Sequence, residues 1–250
     1  MGRPPRSRIQ RSGVSRMDFL DPNKLEDTVA DSANMDMAEK ARMEGEVAEL
    51  QARLEMENTP EEKARLQRDL ARNLTDLERG DQAWPLGKQA FDHYLAQEDW
   101  ESAAECCNIL YLSDQEGSLS ALGQGVWLAV TYPINPETTV ELLHHIIDDT
   151  PDDSDGAAVA AATAAFVVDV RTKDHPRRED MLFFTQQMLG KVARRHSDIQ
   201  DQAQFDYWIE KLELDQPDKF LVRLRNIVDV LVQEDWWFDR DELRARIPED

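Results

Sequence analysis

The sequence predicts an all-α protein of stacked antiparallel helical hairpins, an α-solenoid or compact helical-repeat domain, with a disordered basic N-terminal tail. Apolar residues recur at three- and four-residue spacing through almost every segment, which is the period of an amphipathic helix. No alternating run of β-branched residues, the pattern of a half-buried strand, is present. Short polar loops separate the helical segments, and successive hairpins of this kind stack because each must bury one face against the next.

The chain has 250 residues and 41% apolar content, which is enough to fill a core. We divide it into a disordered Arg-rich tail at residues 1–24, an acidic helical hairpin at residues 25–80, and a helical-repeat domain with a terminal capping helix at residues 81–250. The first sixteen residues contain five arginines and no acid, and their prolines and glycine oppose a helix. These features predict the disordered tail.

The hairpin of residues 25–80 consists of two amphipathic helices. Thr59 is the predicted N-cap of the second helix, and it is followed by a proline at the first helical position and by Glu62 of a capping box. The apolar stripes are Met43, Val47, Leu50 and Leu54 on the first helix and Leu66, Leu70, Leu74 and Leu77 on the second.

The repeat domain is predicted to contain further helical pairs joined by short loops. The Ala-rich run 156–165 has little side-chain bulk, so we expect it near the middle of the stack, where neighbouring helices approach closely. Trp236-Trp237-Phe238 must be buried, either as a seal over the open end of the stack or as a peptide-binding anchor. The predicted helices span residues 82–97, 100–112, 118–132, 136–149, 155–172, 176–196, 200–213 and 217–234, followed by a short helix that ends at Ile247.

One of these pairs resembles a tetratricopeptide repeat, a helix-turn-helix unit of about 34 residues. Tyr94, Trp100 and Ala103 have the spacing of the two aromatic residues and the small residue of that repeat. The resemblance covers residues 83–114 and departs from the pattern at the turn, where Glu98 replaces the inter-helix glycine.

The charge distribution favours a basic partner. The net charge is −22, and the stretch from residue 89 to residue 170 contains fifteen acids and no Lys or Arg. Such a field repels nucleic-acid phosphates and anionic membranes and favours encounter with a basic protein. A purely solubilising surface is the alternative explanation. The basic residues that return after residue 170 are expected to form a solvated face or to pair with the acidic stretch.

The densest acidic segment, HHIIDDTPDDSDG at residues 144–156, raises the possibility of a metal site. With Gly156 at the sixth position of a calcium loop, the first and twelfth ligand positions hold Pro151 and Ala162, so the loop fails. On the predicted helix, His144 lies beside the buried stripe and His145 turns away from it, so the two imidazoles diverge. We therefore predict neither a metal nor a cofactor, and a metal-dependent enzyme centred on His144 and His145 is the alternative hypothesis.

No catalytic motif stands out. Cys106 and Cys107 are adjacent on a helix and are expected to be buried small hydrophobes. The sequence contains no nucleophile elbow and no phosphate-binding loop, so we predict that the chain is not an enzyme. No uncharged apolar run is long enough to cross a membrane, and the lack of a disulfide framework favours the cytoplasm.

The leading hypothesis is a non-enzymatic adaptor, scaffold or assembly factor that binds a basic surface or tail of a protein partner, with no direct nucleic-acid or membrane binding. A second hypothesis is an inhibitor that mimics a nucleic acid and occupies a DNA- or RNA-binding protein. The predicted partner-binding residues are Tyr94, Trp100, Trp127, Asp148, Asp149, Asp152, Asp153 and Asp155.

Overall fold

The computed structural model describes the backbone of residues 22–247 and the side chains of residues 37–247, and it confirms the all-α prediction. Within these residues every regular element is a helix. The helices are α1 (Pro22–Leu54), α2 (Pro60–Asp76), α3 (Gly80–Ala96), α4 (Trp100–Leu112), α5 (Ser118–Thr131), α6 (Pro136–Asp149), α7 (Asp155–Arg171), α8 (Arg178–Ser197), α9 (Gln202–Lys211), α10 (Pro217–Val232) and α11 (Arg240–Ala245).

Local capping signals fix most helix boundaries. The Thr59 side chain accepts a hydrogen bond from the Glu62 backbone N–H at the start of α2, as the sequence predicts. The predicted bounds of α4 and α6 are confirmed to the residue. The predicted disordered tail lies mostly outside the described residues, and its boundary at residue 24 falls inside α1, which begins at Pro22.

The chain divides into two compact units, residues 1–42 and residues 43–250. In the second unit, each helix from α2 to α8 packs against the next. The boundary that we predicted at residue 80 lies within this unit, because α2 packs on α3 and Leu74 shares an apolar cluster with Ala83 and Ile109. Helix α2 contacts α4, and α4 contacts α6, so these even-numbered helices form one layer. Because the helices alternate along the chain, α3, α5 and α7 make up the other layer.

Helix α10 leaves the stack and returns across the layer of odd-numbered helices, where it packs on α5 and α7. The prediction that it continues the series of stacked hairpins is therefore wrong. A Cβ atom at Gly123 of α5 would lie 2.5 Å from Val232 Cγ2, so only a glycine there permits the observed approach of α10. The Ala-rich helix α7 contacts α6, α8 and α10, which confirms its predicted place within the packed interior.

The segment Trp236-Trp237-Phe238 follows α10 along the same layer. The Trp237 ring meets Phe91 of α3 edge-on at 5.1 Å between centroids, and the Phe238 ring lies 5.2 Å from Trp127 of α5. The three side chains are partly buried, and they pack against α3 and α5 of the same chain rather than over the open end of the stack. The segment lies against α3 and α5, because α10 carries the chain back over α7 and α5 and the segment continues from its end.

Candidate functional site

The antiparallel order of the helices brings four loops to one edge of the stack. The loops that follow α2, α4, α6 and α8 all lie at the same end, because successive helices reverse direction. Direct contacts join them. A Cβ atom at Gly80 would lie 1.9 Å from the Ser113 carbonyl oxygen, and the Tyr111 hydroxyl donates a 2.6 Å hydrogen bond to Asp149. Arg195, near the end of α8, lies 3.7 Å from Asp152.

This edge is strongly acidic, and we call it the acidic edge. Its loops and helix ends, residues 76–81, 113–118, 148–155 and 198–201, contain twelve acids, and every one of these side chains is exposed. Arg79 is the only Lys or Arg within these four ranges, and it forms an ion pair with Glu44. The twelve acids are Asp76, Glu78, Asp81, Asp114, Glu116, Asp148, Asp149, Asp152, Asp153, Asp155, Asp198 and Asp201.

Basic side chains from α8 and α10 reach part of the acidic edge. Asp155 is 3.1 Å from His196 and 2.8 Å from Arg223. The hydrogen bond between Asp148 and His144 holds the pKa of the Asp148 carboxyl below its ordinary value. The structure therefore contains intramolecular pairs of the kind expected for the basic residues after residue 170. Within the four ranges of the edge itself, twelve acids stand against one arginine, so the edge remains negative.

Three acids at this edge have a left-handed backbone conformation, which Glu98 and Glu213 also adopt outside the edge. Glu78, Asp114 and Asp198 have φ angles of 61°, 55° and 50°, in the left-handed region that normally favours glycine. Each follows the end of a helix, where the negative end of the helix dipole also disfavours a carboxylate. Backbone conformation and electrostatics thus both oppose acids at these three positions. Fold stability does not account for their presence.

We expect the Glu78→Gly variant to be more stable than the Glu78→Ala variant by about 1 kcal/mol. Both substitutions remove the carboxylate, but only glycine also removes the Cβ atom that makes the left-handed conformation unfavourable. The comparison of urea unfolding free energies for the two variants measures this backbone contribution. Equal stabilities would show that the left-handed turn carries no strain.

The three predicted aromatic residues lie at the other end of the stack. Tyr94 and Trp127 are buried, and the half-buried Trp100 stacks on Tyr132 at 4.0 Å with an interplanar angle of 8°. Trp100 begins α4, whereas Tyr111, which contacts Asp149, lies near its end. At 1.5 Å per residue these positions are about 16 Å apart. The structure brings the five predicted aspartates to one edge and places the aromatic rings elsewhere, inside the packing of the chain.

The two histidines diverge, as predicted, but their places are exchanged: His145 faces the packed side of α6 and His144 faces away from it. His145 faces α4, where its Nε2 donates a 2.8 Å hydrogen bond to Asn108 Oδ1, and its ring lies against Tyr111. Burial lowers the pKa of His145 to about 4. His144 is the more exposed of the two and faces Asp148. Among residues 37–247, no three His, Cys, Asp or Glu side chains converge as metal ligands would.

The prediction for the two cysteines is confirmed. Cys106 and Cys107 are fully buried on α4, and burial raises the pKa of both thiols above the ordinary value. A thiol that stays protonated and inaccessible is a poor nucleophile. These residues therefore act as small apolar side chains in the packing of α4.

Seven acids of the edge are not among the predicted partner-binding residues, although Asp114 and Glu116 lie in the acidic stretch 89–170 that the sequence analysis linked to a basic partner. The seven are Asp76, Glu78, Asp81, Asp114, Glu116, Asp198 and Asp201. Each loop looks like an ordinary polar connection when it is considered alone. The available signal was positional, since all seven lie at or next to a loop that follows an even-numbered helix. Alternate loops of an antiparallel stack share an edge, so counting the helices would have grouped them.

The α3–α4 hairpin has features of the repeat that residues 83–114 resemble. Glu98, at the place of the inter-helix glycine, has a φ angle of 59°, the left-handed conformation that a glycine adopts easily. Ala103 is fully buried at the contact between helices. The resemblance to a tetratricopeptide repeat stays a prediction.

None of the helices within residues 22–247 combines the length and the apolar content needed to cross a membrane. Comparison with protein-family models, with curated proteins and with solved structures gave no match to this chain.

Proposed function

We propose that this chain is a non-enzymatic protein-interaction module whose acidic edge binds a basic segment of a protein partner. The observation that carries the proposal is the collection of twelve exposed acids from four loops on one edge, with a single arginine among them. Lys- and Arg-rich segments are the complementary chemistry for such a surface, because opposite potentials accelerate encounter and favour the bound orientation.

Three acids of the edge, Glu78, Asp114 and Asp198, have a left-handed backbone conformation. A solubilising charge serves equally well at any exposed position, and the chain has many exposed positions in the right-handed helical conformation. Glu78, Asp114 and Asp198 instead occupy positions where both the backbone and the helix dipole disfavour them. Glu98 and Glu213 have the same conformation after α3 and α9, outside the edge, so the left-handed backbone is a general feature of helix ends in this chain, and the proposal rests on the collection of acids at one edge.

A charge-neutralised variant tests the proposal. Asp148→Asn, Asp149→Asn, Asp152→Asn and Asp153→Asn are combined, and binding of a fluorescent Lys/Arg-rich peptide is measured by anisotropy at several salt concentrations. We expect affinity at low salt to fall roughly tenfold or more, and the dependence of affinity on salt to become shallower.

The matched control removes four negative charges from another part of the surface. Asp206→Asn, Glu210→Gln, Asp215→Asn and Asp218→Asn change exposed positions on α9, on the loop after it and at the start of α10. This variant has the same net charge as the edge variant, so general electrostatic attraction falls equally in both. Equal losses of peptide affinity in the two variants would contradict a localised docking edge.

A further inference from the structure

Helix α8 presents an uncovered face with two adjacent phenylalanines. Its opposite face is buried, with Met181, Thr185 and Met188 packed toward α7. Phe183 and Phe184 are 64% and 54% exposed. Two adjacent aromatic side chains this exposed on a well-packed helix leave a large apolar area in water, which marks a contact surface.

The charges along α8 are segregated by end. Glu179 and Asp180 occupy its first turn, and Arg194 and Arg195 occupy its last turn. Of these, Glu179, Asp180 and Arg194 form no ion pair with any other residue of the described range 37–247, and their side chains are exposed. The exposed stripe thus runs from acid, through the two aromatic residues, to base.

A stripe with this order is complementary to itself in the antiparallel orientation. Residues at equal distance from Gln187 face each other when two copies of α8 pack about a twofold axis at that position. The acidic first turn of each copy then meets the basic last turn of the other. Phe183 and Phe184 of each copy meet Gly190 and Lys191 of the other.

The residues opposite the phenylalanines suit that contact. A Cβ atom at Gly190 would meet only the Arg194 guanidinium, at 3.6 Å and 3.9 Å, so the sole cover of this glycine is the end of a flexible side chain, which an incoming ring can displace. Gly190 also borders a cleft of about 580 Å³ between α8 and α9, with Leu189 and Phe205 among its apolar lining residues. The Lys191 side chain can cover an aromatic face with its methylene groups and its ammonium group.

We propose that the exposed face of α8 binds a second copy of this chain, and that the two α8 helices pack antiparallel about a twofold axis near Gln187. The surface is distinct from the acidic edge, so the proposal stands independently of the proposed function. Each chain carries a net charge of −22, and long-range repulsion between copies is screened at about 0.15 M salt, where the Debye length is about 8 Å. The contact charges, which lie closer together than that length, remain effective.

Sedimentation velocity of the full chain over a roughly hundredfold range of concentration tests the proposal. We expect the mass to rise from monomer to dimer with concentration. Phe184→Asp should abolish the dimer, because it places a carboxylate in the apolar contact. Val230→Asp, at a 71% exposed position on α10, is the matched control and should leave the dimer intact.

A charge exchange tests the antiparallel orientation. Asp180→Arg or Arg194→Asp alone should weaken dimerisation about tenfold, since the twofold axis doubles each unfavourable pair. The double variant with both substitutions should restore the wild-type affinity, because each new arginine again faces an aspartate in the other copy. Monomer at every concentration, loss of the dimer in Val230→Asp, or no recovery in the double variant would overturn the proposal.

Discussion

Replacing Gln124 by leucine should destabilise the protein by about 2–4 kcal/mol and release the C-terminal segment. Gln124 is fully buried in the apolar helix α5. Its Oε1 accepts a 2.8 Å hydrogen bond from the Trp237 backbone N–H, and its Nε2 donates to the Asp235 carbonyl oxygen at 3.3 Å. One side chain thus satisfies two main-chain groups of the segment that carries the aromatic cluster.

The expected loss of stability depends on which main-chain groups keep a hydrogen-bond partner in the Gln124→Leu variant. Ser120 also donates to the Asp235 carbonyl, at 3.1 Å, so that acceptor keeps a partner in the Gln124→Leu variant. The Trp237 N–H loses the acceptor Gln124 Oε1, and a donor that is shielded from water without a partner costs more than the hydrogen bond itself contributed. Leucine has nearly the volume of glutamine, so cavity formation adds little.

Urea unfolding of the Gln124→Leu variant gives the free energy, and limited proteolysis reports the release of residues 233–247. The matched control is Gln82→Leu, the same substitution at an exposed position of α3, which should change stability by less than about 0.5 kcal/mol. A Gln124→Leu protein that is as stable and as protease-resistant as the control would show that the other contacts of the segment hold it without Gln124.

The helices were predictable because their signals are local. Thr59 with Glu62 marks the start of α2, and prolines at the starts of α6 and α10 mark two more. The path of α10 was not predictable in this way, since its apolar stripe fits any complementary surface. Gly123 and Gln124 carried the missing signal, because a glycine and a polar side chain in the middle of an apolar helix indicate a close approach of another backbone.

Only part of the acidic edge could be predicted, because sequence patterns are local. The aspartates from 148 to 155 are dense in sequence, so one window reveals them. The other members of the edge are separated by whole hairpins and come together only through the antiparallel order of the helices.

The misplacement of His145 has the same origin. We located the buried stripe of α6 from one apolar row, but α6 packs on α4 as well as on α5 and α7, which widens its buried arc to include His145.

This buried histidine should make the protein sensitive to mild acid. The pKa of His145 is about 4 in the folded chain and about 6.5 when the chain is unfolded and the imidazole is in water. Above pH 6.5 the imidazole is neutral in both states, so it adds no pH dependence. Between pH 6.5 and pH 4 the unfolded state binds a proton that the folded state does not, and the free energy of unfolding therefore falls as the pH falls.

The expected loss is about 2 kcal/mol at about pH 5, and roughly 3 kcal/mol once the pH has fallen below the folded pKa. His145→Gln keeps an amide donor for Asn108 Oδ1 but cannot take up a proton, so its unfolding free energy should fall less over this range. The difference in unfolding free energy between the two proteins at pH 7 gives the packing cost of the substitution. The change in that difference on acidification gives the contribution of His145 protonation to stability. If wild type and His145→Gln lose stability in parallel from pH 7 to about pH 5, then His145 is protonated in the folded state and its contact with α4 tolerates the charge.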